Sequence, residues 1–182
     1  MIGAHGSEPR FQGQPLYCSE VVVRRDSGFR SLEDLRGARW AYNEPSSWSG
    51  YWVTLARVGA WEYFGAVVAA GSHRRALDMV AAGQVDGSAI DWQVLAVELR
   101  DHPELAEQLQ VVDSLGPAPI QPVVVRTGLD PGLKRDLRAR LLELRGEVFG
   151  RFFVERFAPP PDYSSVSATL ARLGAGAPSP PP

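Results

Sequence analysis

A single cysteine, Cys18, occurs among the 182 residues, which excludes an internal disulfide and leaves no cysteine set for zinc. Cys18 reads as a buried strand residue. Nowhere do eighteen apolar residues run together, and residues 1–10 hold Gly, His and Glu with no apolar core, so neither a membrane span nor a signal peptide is visible. Taken as written, the chain is expected to stay in the cytoplasm. The formal net charge is -2, and no basic run interleaves with aromatics, which excludes a polyanion-binding surface and makes nucleic acid an unexpected partner. There is also no Gly-x-Ser-x-Gly elbow, no Ser-x-x-Lys pair and no metal-ligand cluster; His5 sits in a loose amino terminus and His102 precedes Pro103 in a loop. No catalysis, cofactor or metal is therefore expected. What remains is 45% hydrophobic and 22% charged content, enough to bury a substantial core.

The densest chemistry lies in Asn43-Glu44-Pro45-Ser46-Ser47-Trp48-Ser49-Gly50-Tyr51. Small and aromatic residues alternate through Ala38-Arg39-Trp40-Ala41-Tyr42 as in a strand, Pro45 breaks it, and bulky residues recur at helical spacing from Tyr51 to Val58. A helix start exposes unpaired N–H groups and about half a positive charge. Serines placed there complete a shell around a phosphate, phosphonate, sulfonate or carboxylate. Capping of the helix by Ser46 or Ser47 is the alternative, and the residues alone leave both open.

Around this turn, strands alternate with helices. A strand over Leu16–Arg25 ends at Asp26-Ser27-Gly28; a short helix capped by Ser31 stops at Gly37; strand 38–42 leads to the serine turn and a helix to about residue 58. Strand 66–70 precedes a helix capped at Gly71-Ser72, with Ala76, Leu77, Val80 and Ala81 on one side, that ends at Gly83. Strand 86–90, a helix over Trp92–Arg100, strand 109–114 and a β-rich return at Ile120–Arg126 follow. This order predicts an α/β unit with a largely parallel sheet, whose ligands gather beyond the carboxyl ends of the strands. The serine turn, Ser72 with His73, and Asp91 all fall at that edge. Asp130-Pro131 opens a helix with a Leu133, Leu137, Leu141, Leu144, Val148 stripe. Aromatics crowd 149–157, Pro159-Pro160-Pro161 breaks the chain, 165–173 is helical, and 174–182 is a low-complexity tail expected to be disordered.

Leu32-Glu33-Asp34-Leu35-Arg36-Gly37, the short strand and the Glu44-Pro45-Ser46-Ser47-Trp48-Ser49-Gly50 turn resemble the signature of the phosphate, phosphite and phosphonate substrate-binding proteins of ABC transporters. Tyr17-Cys18-Ser19-Glu20-Val21-Val22-Val23, Gly71-Ser72-His73, Ala81-Ala82-Gly83-Gln84-Val85-Asp86 and Pro117 to Arg126 follow in register, and the resemblance covers residues 15 to 165. It implies a type II periplasmic-binding-protein-like fold in which two strands cross between lobes that close on the ligand. Tyr17–Arg25 and Ile120–Arg126 match those crossings. The expected division is an irregular 1–16, a ligand-binding α/β lobe with crossing strands at 17–128, a helical remainder of the other lobe at 129–173 and a tail at 174–182. The family normally carries a secretion signal and further strands before the Tyr-x-Ser strand, so the stripe after Asp130 is expected to lack a sheet to cover it and to favour self-association.

The resemblance implies a periplasmic or cell-envelope protein that captures a small oxyanion and, if exported, delivers it to an ABC permease. The expected ligand residues are Ser46, Ser47, Trp48, Ser49, Gly50, Tyr51, His73 and Asp91. Trp48 stands where phosphonate binders have a threonine, which removes a hydroxyl, and Gln121 stands near the position of an acidic residue used for aminophosphonates, so aminoalkyl ligands are disfavoured. His73 matches a family histidine that faces the anion and, if protonated, should strengthen binding at acidic pH. Asp91 either contacts a protonated oxyanion or a cationic ligand group, or caps a helix. Trp40, Trp52 and Trp61 read as core. A cytosolic ligand sensor or interaction module is the alternative on the same fold, with a cofactor-biosynthesis enzyme third.

Overall fold

The computed structural model describes residues 2–6, 9–145 and 150–174, which fall into two compact units. Residues 18–117 with the helix end from 167 onward form one, and residues up to 17 with 118–166 form the other.

The first unit is built on a five-stranded sheet. In chain order its strands are β2 (Leu16–Arg24), β3 (Arg39–Tyr42), β4 (Ala66–Ala69), β5 (Gly87–Asp91) and β6 (Leu109–Pro119), β1 being an amino-terminal strand of the other unit; the spatial order is β4-β3-β5-β2-β6. β3 runs parallel to both β4 and β5, whereas β2 is antiparallel to β5, with Val21 opposite Ala89. The sheet is therefore mixed, with its parallel strands grouped on one side.

Side chains alternate across a strand, so the two faces can be read from sequence parity. Val21, Val23, Trp40, Tyr42 and Ala89 share one buried cluster, and Val22, Ala41 and Ile90 the other. The first face is covered by a helical stretch in which one π-helical turn, Trp48–Trp52, continues into α1 (Val53–Val58), together with Trp61 and Phe64. Trp40 stacks on Phe64 with ring centroids 4.6 Å apart. The second face is covered by α2 (His73–Ala81), α3 (Trp92–Asp101) and α4 (Pro103–Gln108), which contribute Ala76, Leu77, Val80, Leu95 and Leu105. A sheet covered on both sides explains why Val21-Val22-Val23 is apolar at every position rather than at every second one. Cys18, Trp40 and Trp61 are buried, and Trp52 packs half-buried against the same core.

The other unit departs from expectation. Residues 2–6 are not irregular but form strand β1 (Ile2–Gly6), and the segment expected to be a helical remainder contains strand β8 (Val154–Ala158). With β7 (Pro122–Val123) they make an antiparallel three-stranded sheet of order β7-β1-β8. Partners more than a hundred residues apart leave no local signature, and an Ile-Gly-Ala-His-Gly run lacks the alternation of a surface strand. The return segment after Ile120 pairs only at Pro122 and Val123, and the chain passes between the units within β6, at residues 117 and 118, ahead of the expected crossing.

Helix α5 (Pro131–Glu143) starts as expected: Asp130 caps it by accepting from Leu133 N–H at 2.9 Å, and Pro131 takes the first position. It ends before Leu144. None of its residues is buried, and Leu133, Leu137 and Leu144 are at least 39% exposed. Val148, the last residue of that stripe, Phe149, the first of the aromatic segment, and the tail from 175 lie outside the described residues. Helix α6 (Ser164–Gly174) agrees with expectation. Pro103, read as part of a loop, instead occupies the first position of α4.

A helix with no fully buried residue is held less firmly than the strands of the core. Amide hydrogen exchange should therefore be fast across Pro131–Glu143 and slowest in Val21–Val23, Trp40–Tyr42 and Ser88–Ile90. Equal protection of α5 and these strands, measured by mass spectrometry, would contradict this packing.

Candidate functional site

The carboxyl ends of β4, β3 and β5 lie side by side because all three run the same way. The β3–β4 ladder continues past the strand ends: Ala70 N–H donates to Tyr42 O at 2.7 Å and Gly71 N–H to Asn43 O at 2.7 Å. Gly71 then turns with a φ of +87°, a conformation open to glycine and strained for other residues. Ser72 caps α2 by accepting from Arg75 N–H at 3.1 Å, and His73 becomes the first helical residue. These steps set the imidazole beside Asn43.

The serine turn comes to the same place. Ser47 N–H donates to Glu44 O at 3.1 Å, and Ser47 Oγ accepts from Gly50 N–H at 3.1 Å. Its carbonyl accepts from Trp52 N–H at 3.1 Å, the five-residue closure of a π turn. Ser47 Oγ lies 3.4 Å from Ser49 Oγ, which lies 3.0 Å from His73 Nε2; Asn43 Nδ2 reaches the same Nε2 at 3.2 Å. The result is a polar chain of Ser47, Ser49, His73 and Asn43 at a helix start. Ser49 and Asn43 are buried; Ser47 and His73 are half-buried.

Gly50 is required by close approach. A Cβ built there would stand 2.0 Å from Asn43 Oδ1 and 2.7 Å from its Cγ, far inside contact distance. The glycine thus makes room for an amide that sequence reading had left without a role. Asn43 carries no local motif, and only its place at a strand end, seven residues before a glycine, could have marked it.

The other expected residues divide. Ser46 is exposed. Trp48 packs half-buried against the main core, with its indole Nε1 buried and without a partner among the described residues. Tyr51, expected to line a cleft, is 4% exposed and sits in an aromatic cluster, its ring centroid 4.9 Å from that of Trp61 and 5.2 Å from that of Tyr42. Asp91 is the last residue of β5 and caps α3, its Oδ1 accepting from Gln93 N–H at 2.8 Å and Val94 N–H at 3.4 Å. The capping alternatives are thus realised at both Ser47 and Asp91. His102 lies outside this edge, near Glu98 and Glu104. Among the described residues, no group of three or more His, Cys, Asp or Glu is arranged to hold a metal, and no helix is long and apolar enough to cross a membrane.

Burial pushes the His73 imidazole down from 6.5 to about 4, and its place at the positive end of α2 acts in the same direction. His73 is therefore neutral between pH 5.5 and 8. Without a bound anion, this burial works against the protonated His73 that was expected to strengthen anion binding at mildly acidic pH. Cationic help from the adjacent Arg74 is also committed, since it pairs with Asp78 at 3.0 Å and Glu98 at 2.8 Å.

The family model described as ABC transporter, phosphonate, periplasmic substrate-binding protein matches residues 4–168, and the chain belongs to that family. Its fold is similar to that of a binding-protein component of an ABC phosphonate transporter from Pseudomonas aeruginosa, at a TM-score of 0.79 and 23% identity over 95% of this chain and 61% of that one. It is also similar to PhnD1 from Prochlorococcus marinus in complex with methylphosphonate, at 0.80 and 19% over 96% and 71%, and to XAC2383 from Xanthomonas citri bound to chloride ion, at 0.74 and 24% over 96% and 70%. The chain thus spans about three fifths of the length of the Pseudomonas protein.

The depressed His73 gives a test on stability. Its folded-state value lies below the unfolded one, so its contribution is complete above pH 6.5 and is lost as pH falls toward 4, by at most about 3 kcal/mol. Urea midpoints at pH 7 and 4.5 should therefore fall less in His73→Gln than in the wild type. Identical pH dependence in the two would show that the imidazole is not held neutral.

Proposed function

We propose that this chain is the solute-binding component of an ABC transporter and holds a small oxyanion, such as phosphate, phosphite or a phosphonate, at the Ser46–Gly50 turn. One observation carries the reading: the hydroxyls of Ser47 and Ser49 and the imidazole of His73 form a connected set at a helix start, beyond the carboxyl ends of parallel strands. Family membership and the fold shared with a methylphosphonate complex support the ligand class. The family is periplasmic by description, and an ABC permease is the corresponding partner.

The mechanism is capture. Neutral donors stabilise an oxyanion without a fixed countercharge because each N–H or O–H dipole is oriented before the ligand arrives. Ser49 is the donor with the least structural duty, since Ser47 Oγ already accepts the Gly50 N–H. Trp48 adds bulk where related binders carry a hydroxyl, and its indole packs against the core.

Calorimetry with methylphosphonate, phosphite and phosphate tests this directly. A hydrogen bond to a charged acceptor is worth roughly 1.5–3 kcal/mol, so Ser49→Ala should weaken the preferred ligand at least about tenfold with little change in melting temperature. Ser47→Ala should also lower stability by about 1 kcal/mol through loss of the cap. Binding unchanged in Ser49→Ala would overturn the assignment.

Self-association is proposed on a separate ground, the exposed Leu133, Leu137 and Leu144 with Phe152 at 56% exposure. Sedimentation velocity over a concentration series should show a dimer or larger species that Leu133→Glu with Leu137→Glu disperses. A monomer at every concentration would contradict it.

A further inference from the structure

We propose that Asn43 is a positioning residue of this site: its side-chain N–H satisfies the Nε2 lone pair of His73, which fixes the imidazole proton on Nδ1 and frees the Ser49 hydroxyl hydrogen to turn to a bound oxyanion. The last step rests on the oxyanion reading; the first two do not.

His73 Nε2 has two polar neighbours, Asn43 Nδ2 at 3.2 Å and Ser49 Oγ at 3.0 Å. An amide nitrogen only donates, so Nε2 must accept, and a neutral imidazole that accepts at Nε2 carries its hydrogen on Nδ1. The orientation of the amide is set by its other side. Asn43 Oδ1 stands where a Cβ of residue 50 would be, 2.0 Å from that position, and so faces the Cα–H of Gly50, a contact an oxygen tolerates and an N–H does not. Exchanging the two ends would press a buried donor against carbon and remove the donor from Nε2. Gly50 therefore selects the orientation of Asn43, and that orientation makes His73 Nε2 the acceptor.

The consequence falls on Ser49. With no other donor, the Nε2 lone pair would claim the Ser49 hydrogen, turn both serine lone pairs outward and present them to an incoming anion. Asn43 removes that competition. Ser49 can then point its hydrogen to the ligand while Nε2 stays satisfied. Nδ1–H is buried and without a partner among the described residues.

The tautomer is read by NMR of full-length protein with 15N-labelled histidine. The chain has three histidines, and the His73 signals are those lost in His73→Gln. At pH 7 the wild type should show the Nδ1–H tautomer. Asn43→Asp, nearly the same shape, supplies an acceptor in place of a donor and should move the proton to Nε2. Asn43→Ala should weaken methylphosphonate binding at least about fivefold, and this loss should shrink below about twofold when Ser49→Ala is already present, because Asn43 acts through Ser49. An Nε2–H tautomer in the wild type, or one that Asn43→Asp leaves unmoved, overturns the positioning role even if methylphosphonate binds. An equal Asn43→Ala effect with and without Ser49 overturns the coupling. Should Asn43→Ala fail to fold, the wild-type and Asn43→Asp tautomers decide alone. If wild-type protein binds none of methylphosphonate, phosphite and phosphate, the oxyanion reading and the Ser49 step fall together, and the tautomer still decides what Asn43 does.

Discussion

The parallel pairing of β3 with β4 and β5 is the constraint on which the candidate site depends. Parallel strands deliver their carboxyl ends to one edge, and no two of these ends are near in sequence. Extension of the ladder by Ala70 and Gly71 onto the carbonyls of Tyr42 and Asn43 carries this order past the last strand residue and lands α2 with His73 over Asn43. Both faces of the sheet are apolar because both are covered, and the aromatic cluster of Tyr42, Tyr51 and Trp61 anchors the serine turn from below.

A second constraint is electrostatic. The turn concentrates polar groups in a place where burial disfavours charge, and the residues meet that condition by staying neutral. His73 is held down, and Arg74 is turned toward carboxylates on α2 and α3. Buried polar atoms without partners are rare in folded proteins. Among the described residues eight side chains carry one, and three of these, Asn43, Trp48 and His73, belong to the serine turn or to the first residue of α2.

Local signals were legible in the sequence. Proline and glycine placed the serine turn, Ser72 marked the start of α2, and Asp130-Pro131 marked α5. Elements defined by distant partners were not. β1 is specified by β7 and β8, far along the chain. At the site, the serines and His73 could be named from their pattern, but Asn43 could not, because its meaning comes from a glycine seven residues ahead and a histidine thirty residues ahead. Tyr51 counts with the site in the sequence because it ends the serine turn, but its ring packs into the aromatic cluster with Tyr42 and Trp61 instead.

Titration of 15N-labelled protein with methylphosphonate, followed by amide and indole shifts, tests the central claim most directly. Binding at the serine turn predicts saturable shifts led by Ser47 to Tyr51, the Trp48 indole and His73, with α5 unchanged. Saturable shifts confined to other residues, or none at millimolar ligand, would contradict the account.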